Sequence, residues 1–157
     1  MVVMGVSASG KSRVGRALAT RLAVPFVDAD DLHPPANVEK MAHGIPLDDA
    51  DRAPWLDAVG DRLAAGDGVV VACSALKRAY RDRLRDRAPD VVFAHLTGSS
   101  ELLQLRAGGR GGHFMPASLL ASQLDTLEAL GEDERGFRLD ISRTVAELAE
   151  EAAERIP

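Results

Sequence analysis

Residues 5–12 read Gly-Val-Ser-Ala-Ser-Gly-Lys-Ser, which fits the pattern G-x-x-x-x-G-K-[ST]. In that pattern the glycines let the backbone curl, so that successive N–H groups point inward at phosphate. A helix that follows adds the N–H groups of its first turn. Gly5, Val6, Ser7, Ala8, Ser9 and Gly10 would form the cradle. Lys11 is expected to reach the outer phosphates of ATP, and the Ser12 hydroxyl to coordinate Mg²⁺. An ordinary Gly-rich turn is the alternative, and context weighs against it. Val2-Val3-Met4 is an apolar run of strand type, and Val14, Leu18 and Leu22 recur at helical spacing. So few residues precede Gly5 that either the first strand is stubby or the natural start lies upstream.

Working outward, apolar runs alternate with helical segments. The patterns predict strands at 26–28, 69–73, 91–96 and 137–141. They predict helices at 36–43, 54–65, 74–87, 99–106, 116–130 and 144–156. Pro54 is expected in the first turn of its helix, and Ser74 is expected to cap the helix after the third strand. Strands alternating with helices imply βαβ units and a parallel sheet covered on both faces. Ligands of such a sheet sit beyond the carboxyl ends of its strands.

Composition bounds the rest. The 157 residues, 46% apolar and 27% charged, suit a single domain at 1–157 with its own core. No apolar run is long enough to cross a membrane, and no leader pattern is visible. A net charge of −5 argues against a nucleic-acid partner. Cys73 is the single cysteine, so an intrachain disulfide is impossible and a reducing, cytoplasmic setting fits. Its strand context makes it a small buried hydrophobe rather than a reactive thiol. Of 19 basic residues only Lys11, Lys40 and Lys77 are lysines. A chain that uses Arg elsewhere has reason to keep Lys where a compact ammonium is wanted. That marks Lys40 and Lys77 as site candidates, with solvated surface positions as the alternative.

Asp28-Ala29-Asp30 follows the second strand. On an extended segment both carboxylates would point to one side. One could help hold Mg²⁺ and the other take a proton from a substrate hydroxyl; a solvated acidic turn is the competing account. Lys77 and Arg81, four apart, would share a helix face and could seat a substrate carboxylate, or form a surface stripe. Arg83, Arg85 and Arg87 are expected to face solvent, and Trp55 to anchor the core. Residues 106–116 carry glycine hinges and two arginines, the build of a mobile lid.

The stretches GVSASGKS, FVDADDLHPPANVEKMAHGIPLDDADRAPWL, CSALKRAYRDRLR, RGGHFMPASLLASQ and LDTLE together resemble bacterial-type gluconate kinases. These are small phosphate-loop sugar-acid kinases related in fold to shikimate and adenylate kinases. The resemblance implies an α/β, three-layer P-loop kinase fold: a five-stranded parallel sheet, helices on both faces and a small mobile lid. It implies phosphoryl transfer from MgATP to the 6-hydroxyl of D-gluconate by a homodimer. Lys11, Asp30 and Arg110 would be catalytic. Arg106 and Arg110 would come to the nucleotide from the lid, and Ser12 and Asp28 would serve the metal. Asp30, His33, Lys40, Ser74, Lys77, Arg81 and His113 would bind the sugar acid, with an acceptor region at about 33–65. Ala8 stands where the family usually has Gly, which is comfortable only with a negative φ. A shikimate kinase-like or other small-metabolite kinase is the near rival. A nucleotide-binding module that has lost catalysis is the rival from another class. The turn near Ser142 to Thr144 is the expected adenine clasp by fold analogy.

Overall fold

Val2–Met4 (β1), Phe26–Asp28 (β2), Val70–Ala72 (β3), Phe93–Thr97 (β4) and Gly136–Asp140 (β5) form one parallel sheet in the order β2-β3-β1-β4-β5. The computed structural model describes residues 1–109 and 117–157. The helices are Lys11–Leu22 (α1), Pro35–Ala42 (α2), Asp49–Ala64 (α3), Arg78–Arg87 (α4), Ser100–Gly108 (α5), Ala117–Thr126 (α6) and Val145–Arg155 (α7), with a 3-10 turn at Ala29–Leu32. Both faces of the sheet are covered, as the unbroken apolar strands require. Val3, Ala94 and Leu96 pack with Val14, Leu18 and Leu148 of α1 and α7. Val2, Met4 and Phe93 pack with Trp55, Leu56, Val59 and Leu84 of α3 and α4. The five strands and the three layers are those expected. Cys73 is buried, and burial pushes its thiol up to about 12, so it behaves as a hydrophobe.

Three local expectations are corrected. Pro54 lies in the second turn of α3, because the helix begins earlier, at a capping box in which Asp48 and Asp51 serve each other's backbone N–H. The cap and the burial of Trp55, Leu56 and Val59 offset the hydrogen bond that proline removes. Ser74 does not cap α4. That helix starts at Arg78, and residues 74–77 form a loop with Ala75 at φ 45°. Arg83 and Arg87 do not simply face solvent: Arg83 grips Asp57 of α3 through two bonds of 2.7 and 2.8 Å, and Arg87 joins it at 3.2 Å.

His95 sits inside β4, 3% exposed, and its Nδ1 has no hydrogen-bond partner among the described residues. Burial, aided by Arg138 and Arg81, pushes its imidazole down to about 4 from 6.5. Below pH 6.5 the unfolded chain therefore binds a proton that the folded chain refuses until about pH 4. Stability is full above that window and falls through it, by about 2 kcal/mol at pH 5. Urea titrations of wild type and His95→Gln at pH 7 and pH 5 should show this acid loss in wild type and a flatter response in the variant.

Candidate active site

Gly5 and Gly10 adopt φ 145° and 96°. A Cβ on Gly5 would lie 2.9 Å from the Leu96 carbonyl oxygen and 3.0 Å from Ser9 Oγ, so the curl there needs glycine. Gly10 caps α1 without a side-chain hydrogen bond, and the first turn holds no acid. The leading N–H groups of α1 thus face an opening with the positive end of the helix dipole behind them. Ser9 Oγ is fully buried, with no partner among the described residues. This cradle suits the phosphates of a nucleotide. Ala8 corrects one expectation: its φ is +64°, not negative. The left-handed conformation costs an alanine about 1–2 kcal/mol, and the loop holds it there with the side chain buried.

Lys11 Nζ donates to the Val6 carbonyl at 3.0 Å, which lays the ammonium along the inside of the loop. Ser12 Oγ donates to Asp28 Oδ2 at 2.7 Å. A hydroxyl beside a carboxylate is a hard-oxygen pair of the kind Mg²⁺ takes together with waters and phosphate oxygens. Among the described residues no group of three or more His, Cys, Asp or Glu could hold a metal by itself. The segment after β2 is not extended: Asp28 caps the 3-10 turn, its Oδ1 accepting from the Asp30 N–H at 3.3 Å. Both carboxylates nonetheless line one cavity of about 290 Å³ with Lys11, Ser12 and Ser74. Burial and then the Asp28 charge raise the Asp30 pKa, while Lys11 and His33 pull it down. That makes Asp30 a stronger base than an ordinary carboxylate.

A second cleft, of about 820 Å³, runs along the other side of the loop and is lined by Arg13, Arg106, Ser142, Arg143 and Thr144. Arg106 donates to the Ile141 carbonyl at 2.5 Å, tying α5 to the end of β5. The turn expected to clasp adenine therefore stands beside the loop.

The remaining acceptor candidates among the described residues, His33, Lys40, Lys77 and Arg81, do not line the inner cavity of Lys11 and Asp30. His33 stacks on Trp55 at a centroid distance of 4.4 Å and bonds Asn37 at 3.2 Å. Its pKa is lowered by burial, against the pull of Asp30. Lys40 pairs with Asp51 at 2.7 Å and Lys77 with Asp49 at 3.1 Å, so the two first-turn acids of α3 hold both ammonium groups. Neither lysine lines the inner cavity. Arg81 is a correction. It does not share a face with Lys77, which precedes α4. Its side chain is fully buried, and it binds Glu134 through two bonds of 2.7 and 2.9 Å. It also donates to the carbonyls of Ala75, Leu76, Glu128 and Ala129 at 3.1–3.2 Å. It organises the loop behind Ser74 instead of meeting substrate.

Residues 1–130 match the AAA domain family. A gluconokinase from Gluconobacter oxydans is 54% identical over 88% of this chain and 80% of its own length. The chain belongs to the gluconokinase family. A crystal structure of a gluconokinase from Sinorhizobium meliloti superposes with a TM-score of 0.90 at 52% identity, covering 99% of this chain and 89% of that one. A shikimate kinase from Acinetobacter baumannii, 17% identical with a TM-score of 0.61 over 98% of this chain and 89% of that one, shares the fold alone. The family is one of kinases, so the shikimate-like and non-catalytic alternatives are not favoured.

Arg110 and His113, and the lid beyond Gly109, lie outside the described residues. The sequence reading missed Gln123 of α6, whose Oε1 accepts from the Ser7 N–H at 2.6 Å. It also missed the acids that hold Lys40 and Lys77. A glutamine on an ordinary helix carries no local signal, and only the fold brings it 116 positions back to the loop.

Proposed function

We propose that this gluconokinase-family protein transfers the γ-phosphoryl group of ATP to the 6-hydroxyl of D-gluconate. The observation that carries this is the single cavity in which Lys11, Ser12, Asp28, Asp30 and Ser74 meet at the end of the sheet. The triphosphate would lie in the loop, with its base toward Ser142 to Thr144 and Arg106 beside it. Ser12 and Asp28 would hold Mg²⁺, which neutralises charge on the phosphate oxygens when bound. Asp30 takes the hydroxyl proton as the oxygen attacks phosphorus and the bond to the β,γ-bridging oxygen breaks, releasing ADP. Arg110 would add charge from the lid. The carboxylate of the acceptor would draw on Lys77 and Lys40, replacing Asp49 and Asp51 as their partner, with His33 and His113 along the chain of hydroxyls. A homodimer in the cytoplasm goes with this reading, and the buried free thiol of Cys73 suits a reducing compartment.

The test is ADP release from MgATP with and without D-gluconate, extended over several aldonic acids. A kinase of this class needs the acceptor; a nucleotide-binding module does not. Asp30→Asn should lower kcat by about a hundredfold or more with the KM for ATP unchanged, because it removes the proton acceptor alone. A rise confined to the KM for ATP would remove Asp30 from this role.

A further inference from the structure

Gln123 is the one amide side chain among the described residues lining the inner cavity. The Ser7 N–H can only donate, so the atom that receives it must be Oε1. The orientation of the amide is thereby settled. What Gln123 has left is its –NH₂, with two donors and no other hydrogen bond among the described residues. The side chain lines the smaller cavity with Lys11, Asp30 and Ser74 and is absent from the larger nucleotide cleft. It therefore stands at the reacting end of the site, where the phosphate loop meets Asp30 and Ser74, and not at the base.

The chemistry of the cavity leaves a place for such a group. Asp28 and Asp30 can accept hydrogen bonds, and Lys11 would serve the phosphates. A polyhydroxyl chain can donate to the carboxylates, yet each hydroxyl oxygen also needs a donor. A neutral amide supplies one without drawing the transferred phosphoryl group away from Lys11. Gln123 also stands on a fixed element. The Glu128 N–H donates to the Leu76 carbonyl at 2.8 Å, and Arg81 holds the Glu128 and Ala129 carbonyls. The segment directly after α6 is thus bound to the loop that carries Ser74, and a donor on such a support keeps its position.

We propose that Gln123 determines acceptor specificity: tethered by Ser7, its amide donates to the hydroxyl next to the one phosphorylated, which in D-gluconate is the 5-hydroxyl. Its bond to the phosphate loop places it at the reacting end of the acceptor and away from the carboxylate end. This rests on the gluconate reading given above.

The test pairs two variants with two substrates. D-gluconate and its 5-deoxy analogue are compared by kcat/KM in wild type, Gln123→Leu and Gln123→Glu. Wild type should prefer gluconate by roughly a hundredfold or more, because a buried donor left without its hydroxyl rejects the analogue. Gln123→Leu should lose about ten- to a hundredfold on gluconate while staying within about threefold on the analogue, so that the preference collapses. Gln123→Glu keeps an acceptor for the Ser7 N–H and removes the donor, and it should collapse the preference in the same way. The KM for ATP should stay within about threefold in both. Equal losses on both substrates would reduce Gln123 to a support of the loop and overturn the proposal. An unchanged preference in either variant would overturn it too. If wild type releases no ADP with gluconate, the functional reading falls and this inference with it; if it does and the preference survives in the variants, only this inference falls.

Discussion

Arg81→Met should lower stability at pH 7 by about 3–5 kcal/mol, a loss large enough to threaten the fold of a domain this size. The variant strips the Glu134 carboxylate, whose side chain is fully buried, of its hydrogen-bonded counter-charge and leaves it, among the described residues, only Arg78 at 3.8 Å. It also takes a donor from four backbone carbonyls, those of Ala75, Leu76, Glu128 and Ala129, of which Leu76 keeps the Glu128 N–H at 2.8 Å. The pair itself does not explain all of this, since buried ion pairs can be exchanged for apolar residues at little cost. Arg81→Met/Glu134→Leu separates the two effects. It removes the stranded charge and should recover part of the loss, leaving that due to the carbonyls. The pH dependence carries a sign. Burial opposes the charge of Glu134, but the Arg81 bonds and the Gly131 N–H hold its carboxyl below the usual range. In wild type its contribution is therefore present above the unfolded carboxyl value and is lost as pH falls through the lower folded one. In Arg81→Met burial remains without the guanidinium, the pKa rises, and acid relieves the penalty. The gap between variant and wild type should thus narrow toward pH 4 in urea titrations. A gap under about 1 kcal/mol, or one that does not change with pH, would mean that Arg81 is not the tie holding this region.

The same residue shows what the sequence could and could not reveal. The five strands and the covered parallel sheet followed from apolar runs alternating with helical spacing, because that pattern is local; the order β2-β3-β1-β4-β5 did not, because pairing between distant strands leaves no local trace. The loop from Gly5 to Ser12 was legible too, a contiguous motif whose neighbours agree with it. Asp28 and Asp30 were legible because ligands of a parallel sheet collect at its strand ends. Arg81 was not. Its spacing from Lys77 suggested a shared face, but its partner Glu134 lies 53 residues away, and charge complementarity at that range leaves no periodic trace. Ser74 looked like a cap because serine after a strand usually is one; Arg81 gathers the loop carbonyls and delays the helix to Arg78. Pro54 looked like a first-turn residue until Asp48 and Asp51 closed a capping box ahead of it. Lys40 and Lys77 were singled out by their rarity. That signal marks a place for an ammonium but not its partner, and in this structure the partners are the acids at the start of α3.

Lys11→Ala should be the most damaging change to turnover, lowering kcat by about a thousandfold or more. A thousandfold corresponds to about 4 kcal/mol of lost transition-state stabilisation. The reason is the character of the reaction. The transition state of phosphoryl transfer is loose, with charge spread over the oxygens of the moving group and little bond formation to the incoming hydroxyl. A cation held against those oxygens then matters more than a base that takes the proton late. The loop pre-positions that cation by the bond from Nζ to the Val6 carbonyl, so little reorganisation is needed as the charge shifts. Lys11→Arg should not restore the rate. A planar fork cannot follow the curl of the loop as a compact ammonium does, and a recovery of less than about a tenth of wild-type kcat is expected. Single-turnover measurements with ATP and D-gluconate isolate the chemical step from product release. A loss below tenfold would assign the stabilisation to other groups. The ordering is itself a test: Lys11→Ala must cost more than Asp30→Asn. Were the carboxylate the costlier of the two, the proton would be moving early, and the loose transition state assumed for this cavity would be the wrong one.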